Sequence, residues 1–145
     1  MNGHAVVDAS VATKWLIDEP DTDKADALAQ SWVRSGIKPV APYLMPVEVA
    51  NVLHQRVRQG RVSRQEAARL IQRLLDSGVE LREPAGLHTR AIELASQLGQ
   101  SAAYDAHYLA LAEMIDCELW TADQRYYLAV RSAYPRARLL RTFSD

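Results

Sequence analysis

Four acidic residues widely separated in the chain, Asp8, Glu48, Asp105 and Asp123, have the side-chain chemistry to bind a hard metal ion together. Asp8 ends the apolar run His4–Val7, and Asp123 follows Leu119-Trp120-Thr121. Glu48 sits inside Met45-Pro46-Val47-Glu48-Val49-Ala50. Asp105 sits inside Ala103-Tyr104-Asp105-Ala106, just ahead of Tyr108-Leu109-Ala110-Leu111-Ala112. Carboxylates in such apolar surroundings are costly unless a cation neutralises them. Their oxygens suit Mg²⁺ or Mn²⁺, which usually keep several waters. Taken singly, each acid has a plainer role. Asp8 and Asp123 could cap helices, and Glu48 and Asp105 could be first-turn acids facing water. Taken together, the four favour a metal pocket. Zinc is not suggested, because His4, His54, His88 and His107 are scattered without metal-ligand spacing. All four histidines read as structural or surface residues.

The elements that must position these acids follow from apolar spacing and punctuation. His4–Val7 reads as a buried strand. Ser10 is expected to cap a helix from about Val11 to Asp18, which Pro20 ends. Asp21 and Thr22 open a second helix that reaches Ser35, with Gly36 as its stop. Pro39–Ala41 is a short strand, and a third helix with Pro46 in its first turn runs to about Gln59. Ser63-Arg64-Gln65-Glu66 is a capping box for a helix ending near Asp76. Val79–Leu81 is a strand, and Gly86–Leu98 is a helix. Ser101 is expected to cap the next helix, which ends near Ile115. Cys117–Thr121 is a strand, Asp123 opens a helix toward Ser132, and Arg138–Leu140 is a last strand. Strands alternating with helices predict an α/β class with a mostly parallel sheet. Such sheets bind ligands beyond the carboxyl ends of their strands, where Asp8 and Asp123 fall.

The bulk composition sets outer bounds. A chain of 145 residues, 48% hydrophobic, suits a single domain over residues 1–145 with one core. No apolar run approaches the roughly 20 residues that span a bilayer. The N-terminal residues do not read as a signal peptide, and the lone Cys117 suits a reducing cytoplasm. The net charge of −1 argues neither for nor against nucleic acid. With the four proposed ligands set aside, 14 of the 18 carboxylates remain against 17 Lys and Arg. The rest of the surface is then mildly basic. Arg56, Arg58, Arg61 and Arg64 cluster around Gly60, with Arg69 and Arg73 following at helical spacing. That cluster is either a solvated face or an edge that tracks RNA phosphates or meets a partner protein. Trp15, Trp32 and Trp120 read as core or half-buried aromatics.

Nearly the whole sequence resembles a PIN domain of the VapC toxin type. Val6-Val7-Asp8-Ala9-Ser10 resembles that family's first acidic motif, and Pro46-Val47-Glu48-Val49-Ala50-Asn51-Val52-Leu53 its second. Tyr104-Asp105-Ala106-His107-Tyr108 with the following Leu109–Ala112 resembles the third, and Leu119-Trp120-Thr121-Ala122-Asp123-Gln124-Arg125 the fourth. The order and spacing of these motifs carry the resemblance. It implies a three-layer α/β/α sandwich and Mg²⁺- or Mn²⁺-dependent cleavage of RNA. It also implies a homodimer held inactive by a cognate antitoxin. Asp8 and Asp105 then match the central metal ligands, Glu48 and Asp123 the supporting acids. Thr121, and more weakly Ser10, match hydroxyls that orient a ligand or phosphate; as a plainer alternative, Thr121 caps the next helix.

Three competing readings remain open. A phosphoacceptor receiver-like domain shares the layout and the Mg²⁺. It needs an early acidic pair and a late strand-end lysine, however, and no lysine follows Lys38. A catalytically silent PIN-like domain would bind RNA or protein without cutting. A structure-specific DNA nuclease would use the same acids, but the chain shows no arch or helical DNA clamp.

Overall fold

Val6 and Val7 are fully buried although their side chains point to opposite faces of one strand. Only a strand covered on both sides permits that. The computed structural model describes residues 3–145 and shows how the cover is built. Strand β1 (His4–Val7) leads into helix α1 (Ala9–Lys14) and helix α2 (Thr22–Ser35). Strand β2 (Lys38–Ala41) is followed by helices α3 (Leu44–Arg58) and α4 (Arg64–Leu75), then by the short strand β3 (Glu80–Leu81). Helices α5 (Leu87–Gln97) and α6 (Tyr104–Ile115) precede strand β4 (Glu118–Thr121). Helix α7 (Gln124–Val130), strand β5 (Ala137–Leu139) and a 3₁₀ turn (Leu140–Thr142) complete the chain's regular elements.

The five strands form one sheet in the order β3-β2-β1-β4-β5, and every described pairing is parallel. Val6 lies level with Val40 of β2 and with Leu119 of β4. Val7 lies level with Trp120. One buried cluster gathers Val6 with residues of α3, α4, α5 and α6, including Met45, Leu74, Leu94 and Leu109. A second gathers Ala5, Val7 and Trp120 with Leu28 and Trp32 of α2. The two clusters use alternate residues of β1, so the sheet is the middle layer of an α/β/α sandwich. A receiver domain places its first strand between its second and third. Here β1 lies between β2 and β4, which removes the receiver layout. No helix among the described residues is long and apolar enough to cross a membrane.

Several boundaries differ from the sequence expectation for identifiable reasons. Ser10 does not cap α1. Asp8, in extended conformation, accepts the Val11 N–H, so the helix starts at Ala9 and ends at Lys14. Ser101 does not cap α6 either, and the helix begins at Tyr104 with Ala103 as its flanking residue. Asp105 is therefore its second residue, where a Ser101 cap implies the fourth. Ser63 accepts the Glu66 N–H, one half of the expected capping box, and the Glu66 carboxylate binds Arg69. Strand β3, at the edge of the sheet, has only two residues, those level with Val40 and Ala41 of β2.

Leu109 is 1% exposed and belongs to the larger cluster, whereas Ile92 on neighbouring α5 is 64% exposed. Leu109→Ala is expected to lower the unfolding free energy by about 3 kcal/mol in urea titration. Ile92→Ala is expected to change it by less than about 0.5 kcal/mol.

Candidate metal centre

The chain crosses from one half of the sheet to the other between β1 and β4, and the gap at their carboxyl ends is the switch point. Asp8 leaves β1 there, its N–H still bonded to the Trp120 carbonyl at 3.2 Å. Thr121 and Asp123 leave β4 beside it. Asp123 caps α7 by accepting the Tyr126 N–H at 3.1 Å. The second turn of α3 and the first turn of α6 bring Glu48, one turn deeper in its helix than a first-turn acid, and Asp105 to the same place. All four acids line one cavity of about 580 Å³. Among the described residues no three His, Cys, Asp or Glu side chains already close on a single point. The acids stand instead around an open space.

Asp8 is 6% exposed. Its Oδ1 accepts from the Ser10 hydroxyl at 2.5 Å and from the Val11 N–H at 3.2 Å. Ser10 also accepts from the Ala122 N–H at 2.8 Å, which ties the end of β1 to the loop after β4. Thr121 is fully buried, and its hydroxyl lies 3.4 Å from that of Ser10 and accepts the Asp123 N–H at 3.1 Å. Burial pushes the Asp8 carboxyl up to about 6 from 3.8. The hydrogen bonds from Ser10, Thr121 and Val11 pull the other way without cancelling it, and the charge of Asp105 adds to the rise.

The same conflict recurs around the cavity. Glu48 is raised chiefly by burial, with Asp105 adding to the rise. The hydroxyl of Tyr108, donating to Glu48 Oε1 at 2.5 Å, and His107 oppose it. Asp105 is raised by the walls that take water from its carboxyl and by the charge of Asp123, although the residue as a whole is exposed. Asp105 therefore feels or exerts charge repulsion with each of the other three acids. The donor set is all hard oxygen, the charges repel, and the space is large enough for a hydrated ion. Those features fit a hydrated divalent cation.

Sequence reasoning missed two tyrosines here. Tyr108, buried, orients Glu48, and Tyr126 donates to the Asp105 carbonyl at 3.0 Å. Burial raises both hydroxyls well above the usual tyrosine range, so they remain donors. Tyr108 lies three residues after Asp105 on α6 and Tyr126 three after the cap Asp123, but each hydroxyl binds a residue far from those acids in sequence, so spacing gave no signal for either. The arginines divide. Arg56 pairs with Glu19 at 2.9 Å and, with Arg61, lines a second hollow of about 510 Å³. Arg58 and Arg64 are exposed and line neither space. His88 and His107 meet at 3.0 Å across the α5–α6 pair, a contact no spacing in the sequence suggested.

Carboxylates set around the switch point of a parallel α/β sandwich define an α/β protein with an acidic pocket at its strand ends, a lining whose oxygens suit a hard cation. Residues 5–131 match the family model of the PIN domain. The chain belongs to the PIN-domain family. It is 32% identical over 120 residues to Ribonuclease VapC9 of Mycobacterium tuberculosis, covering 83% of this chain and 86% of that one. The crystal structure of PAE2754 from Pyrobaculum aerophilum superposes with a TM-score of 0.71 at 24% identity, covering 96% of this chain and 90% of that one. Mycobacterium tuberculosis VapC20, a sarcin-ricin loop cleaving toxin, superposes at 0.67 with 16% identity, covering 86% and 94%. These two likenesses show the fold.

Two outcomes are expected. A carboxyl raised in the fold holds its proton more tightly folded than unfolded. Its contribution to stability is present below 3.8 and is lost as pH rises toward about 6. The loss at Asp8 is on the order of 3 kcal/mol. Metal-free wild type is therefore expected to weaken over that window relative to Asp8→Asn, which keeps a good cap. Urea midpoints across pH check the difference, and added Mg²⁺ should recover wild type more than the variant. Tyr108→Phe removes a donor that favours charged Glu48, so the Glu48 carboxyl should titrate at higher pH in carbon NMR.

Proposed function

We propose that residues 1–145 act as one metal-dependent endoribonuclease domain. Asp8, Glu48, Asp105 and Asp123 hold Mg²⁺ or Mn²⁺, and the chain is the toxin of a toxin–antitoxin pair. The observation that carries this reading is the shared cavity. Four acids from distant segments line it, and three of them carry charge that burial and mutual repulsion disfavour. The 32% identity to a VapC ribonuclease supports RNA as the substrate.

When bound, the ion supplies Lewis acidity near the scissile phosphate and offsets charge on its oxygens. Asp8 is the least hydrated ligand; the Ser10 hydroxyl and the Val11 N–H fix its Oδ1, the Thr121 hydroxyl also supports the carboxylate, and these bonds set the direction of its other oxygen. Glu48, braced by Tyr108, and Asp105, whose backbone is pinned by Tyr126, face it from α3 and α6. Asp123 uses one oxygen as a cap, which fixes its position at the start of α7. The reaction is in-line attack of water on phosphorus, and no side chain serves as a covalent nucleophile. The surface that carries Arg56, Arg58, Arg61 and Arg64 contacts RNA or the antitoxin. The active form is a cytoplasmic homodimer that a cognate antitoxin silences.

Asp8→Asn and Asp105→Asn should each keep the fold and lower cleavage of a labelled single-stranded RNA by about a hundredfold or more. Chelation should stop the wild type, and Mg²⁺ or Mn²⁺ should restore it. Near-wild-type cleavage by either folded variant refutes the assigned role. A matched DNA strand in the same assay separates RNA cutting from DNA cutting.

A further inference from the structure

The cavity contains a cation that the metal chemistry leaves unexplained. Lys14, the last residue of α1, is the only Lys or Arg among the residues lining the acid pocket. Its side chain is 14% exposed, and its Nζ donates to Glu19 Oε1 at 3.2 Å. The other oxygen of Glu19 accepts from Arg56 at 2.9 Å. Glu19 is itself only 17% exposed. Its loop is held in place: the Glu19 N–H donates to the Thr22 hydroxyl at 3.0 Å, and that hydroxyl donates to the Ile17 carbonyl at 3.2 Å. Glu19 lines both the acid pocket and the adjacent hollow that carries Arg56 and Arg61.

One carboxylate thus bridges two cations at the boundary between two spaces. A polyanion entering the acid pocket meets five carboxylates and, besides any bound metal, the one cation Lys14. A half-buried lysine and arginine need a counter-anion when no ligand is present. A phosphate presents the same geometry as a carboxylate, two oxygens toward two donors, with more charge.

We propose that Lys14 and Arg56 form a subsite for a backbone phosphate of the bound strand, adjoining the acid pocket, and that Glu19 is the resident anion which that phosphate displaces. The inference rests on the RNA-cutting reading and assigns its substrate path: the strand leaves the metal pocket past Lys14 and continues over Glu19 toward Arg56 and Arg61. Lys14 and Arg56 bind here; neither acts on the reacting bond.

Binding of short fluorescent single-stranded RNAs of several sequences, measured by anisotropy over a KCl series in the Asp8→Asn background, tests it. Lys14→Gln should weaken binding by about fivefold, equally across sequences, the scale of one screened charge contact. The slope of log affinity against log salt should become shallower by about 0.7, one phosphate's share on a single strand. Lys14→Arg should retain the wild-type slope. Glu19→Gln, which removes the competing anion, should tighten binding. An unchanged slope in Lys14→Gln overturns the subsite, and so does weaker binding in Glu19→Gln, which would mark the three residues as a structural clasp. Failure of the parent reading looks different: a wild type that cuts no RNA in the presence of Mg²⁺.

Discussion

Asp8 is held where its charge is least welcome. The described groups that bond it, the Ser10 and Thr121 hydroxyls and the Val11 N–H, are all neutral. They fix its geometry without cancelling its charge, and another carboxylate, Asp105, adds to the repulsion it feels. A site built this way has a deficit of positive charge at its centre. The hydroxyl network, the bracing tyrosines and the wall positions of Glu48 and Asp123 all make sense as parts that keep that deficit in one fixed shape.

Two of the acids show how such a deficit is tolerated in a folded chain. Asp8 and Asp123 both serve as helix caps, at α1 and α7, so each earns a backbone partner in the absence of any ion. The plain reading of these residues and the functional one are compatible. A cap uses one carboxylate oxygen and fixes the other, and the positive end of the helix offsets part of the charge. Glu48 receives comparable support from a side chain, Tyr108, because it lies beyond the reach of its own helix end.

The alternation of strands and helices was legible because apolar runs of four or five residues ended at an acid, a proline or a glycine. The placement of all four acids around one space was legible as a set, since each interrupts an apolar stretch. Helix starts were less so. Ser10 and Ser101 carry ordinary capping chemistry, but a better-placed acceptor, Asp8, took the first position, and α6 begins without a side-chain cap. Tyr108 and Tyr126 look like core residues by spacing, and their hydroxyl partners lie 60 and 21 residues away. The His88–His107 contact and the Lys14–Glu19–Arg56 bridge depend on helix packing, which periodicity does not encode.

The sheet order has a consequence for how the pocket comes into being. β1 is made first, yet its neighbour β4 is made after β2, β3 and all helices up to α6. The Ser10–Thr121 contact joins residues 111 positions apart. Pairings this remote form late in folding. A ribosome synthesising the chain therefore makes Asp8 and Glu48 well before β4, the second neighbour of β1, and the pocket takes its shape only once the segment through Asp123 has been made.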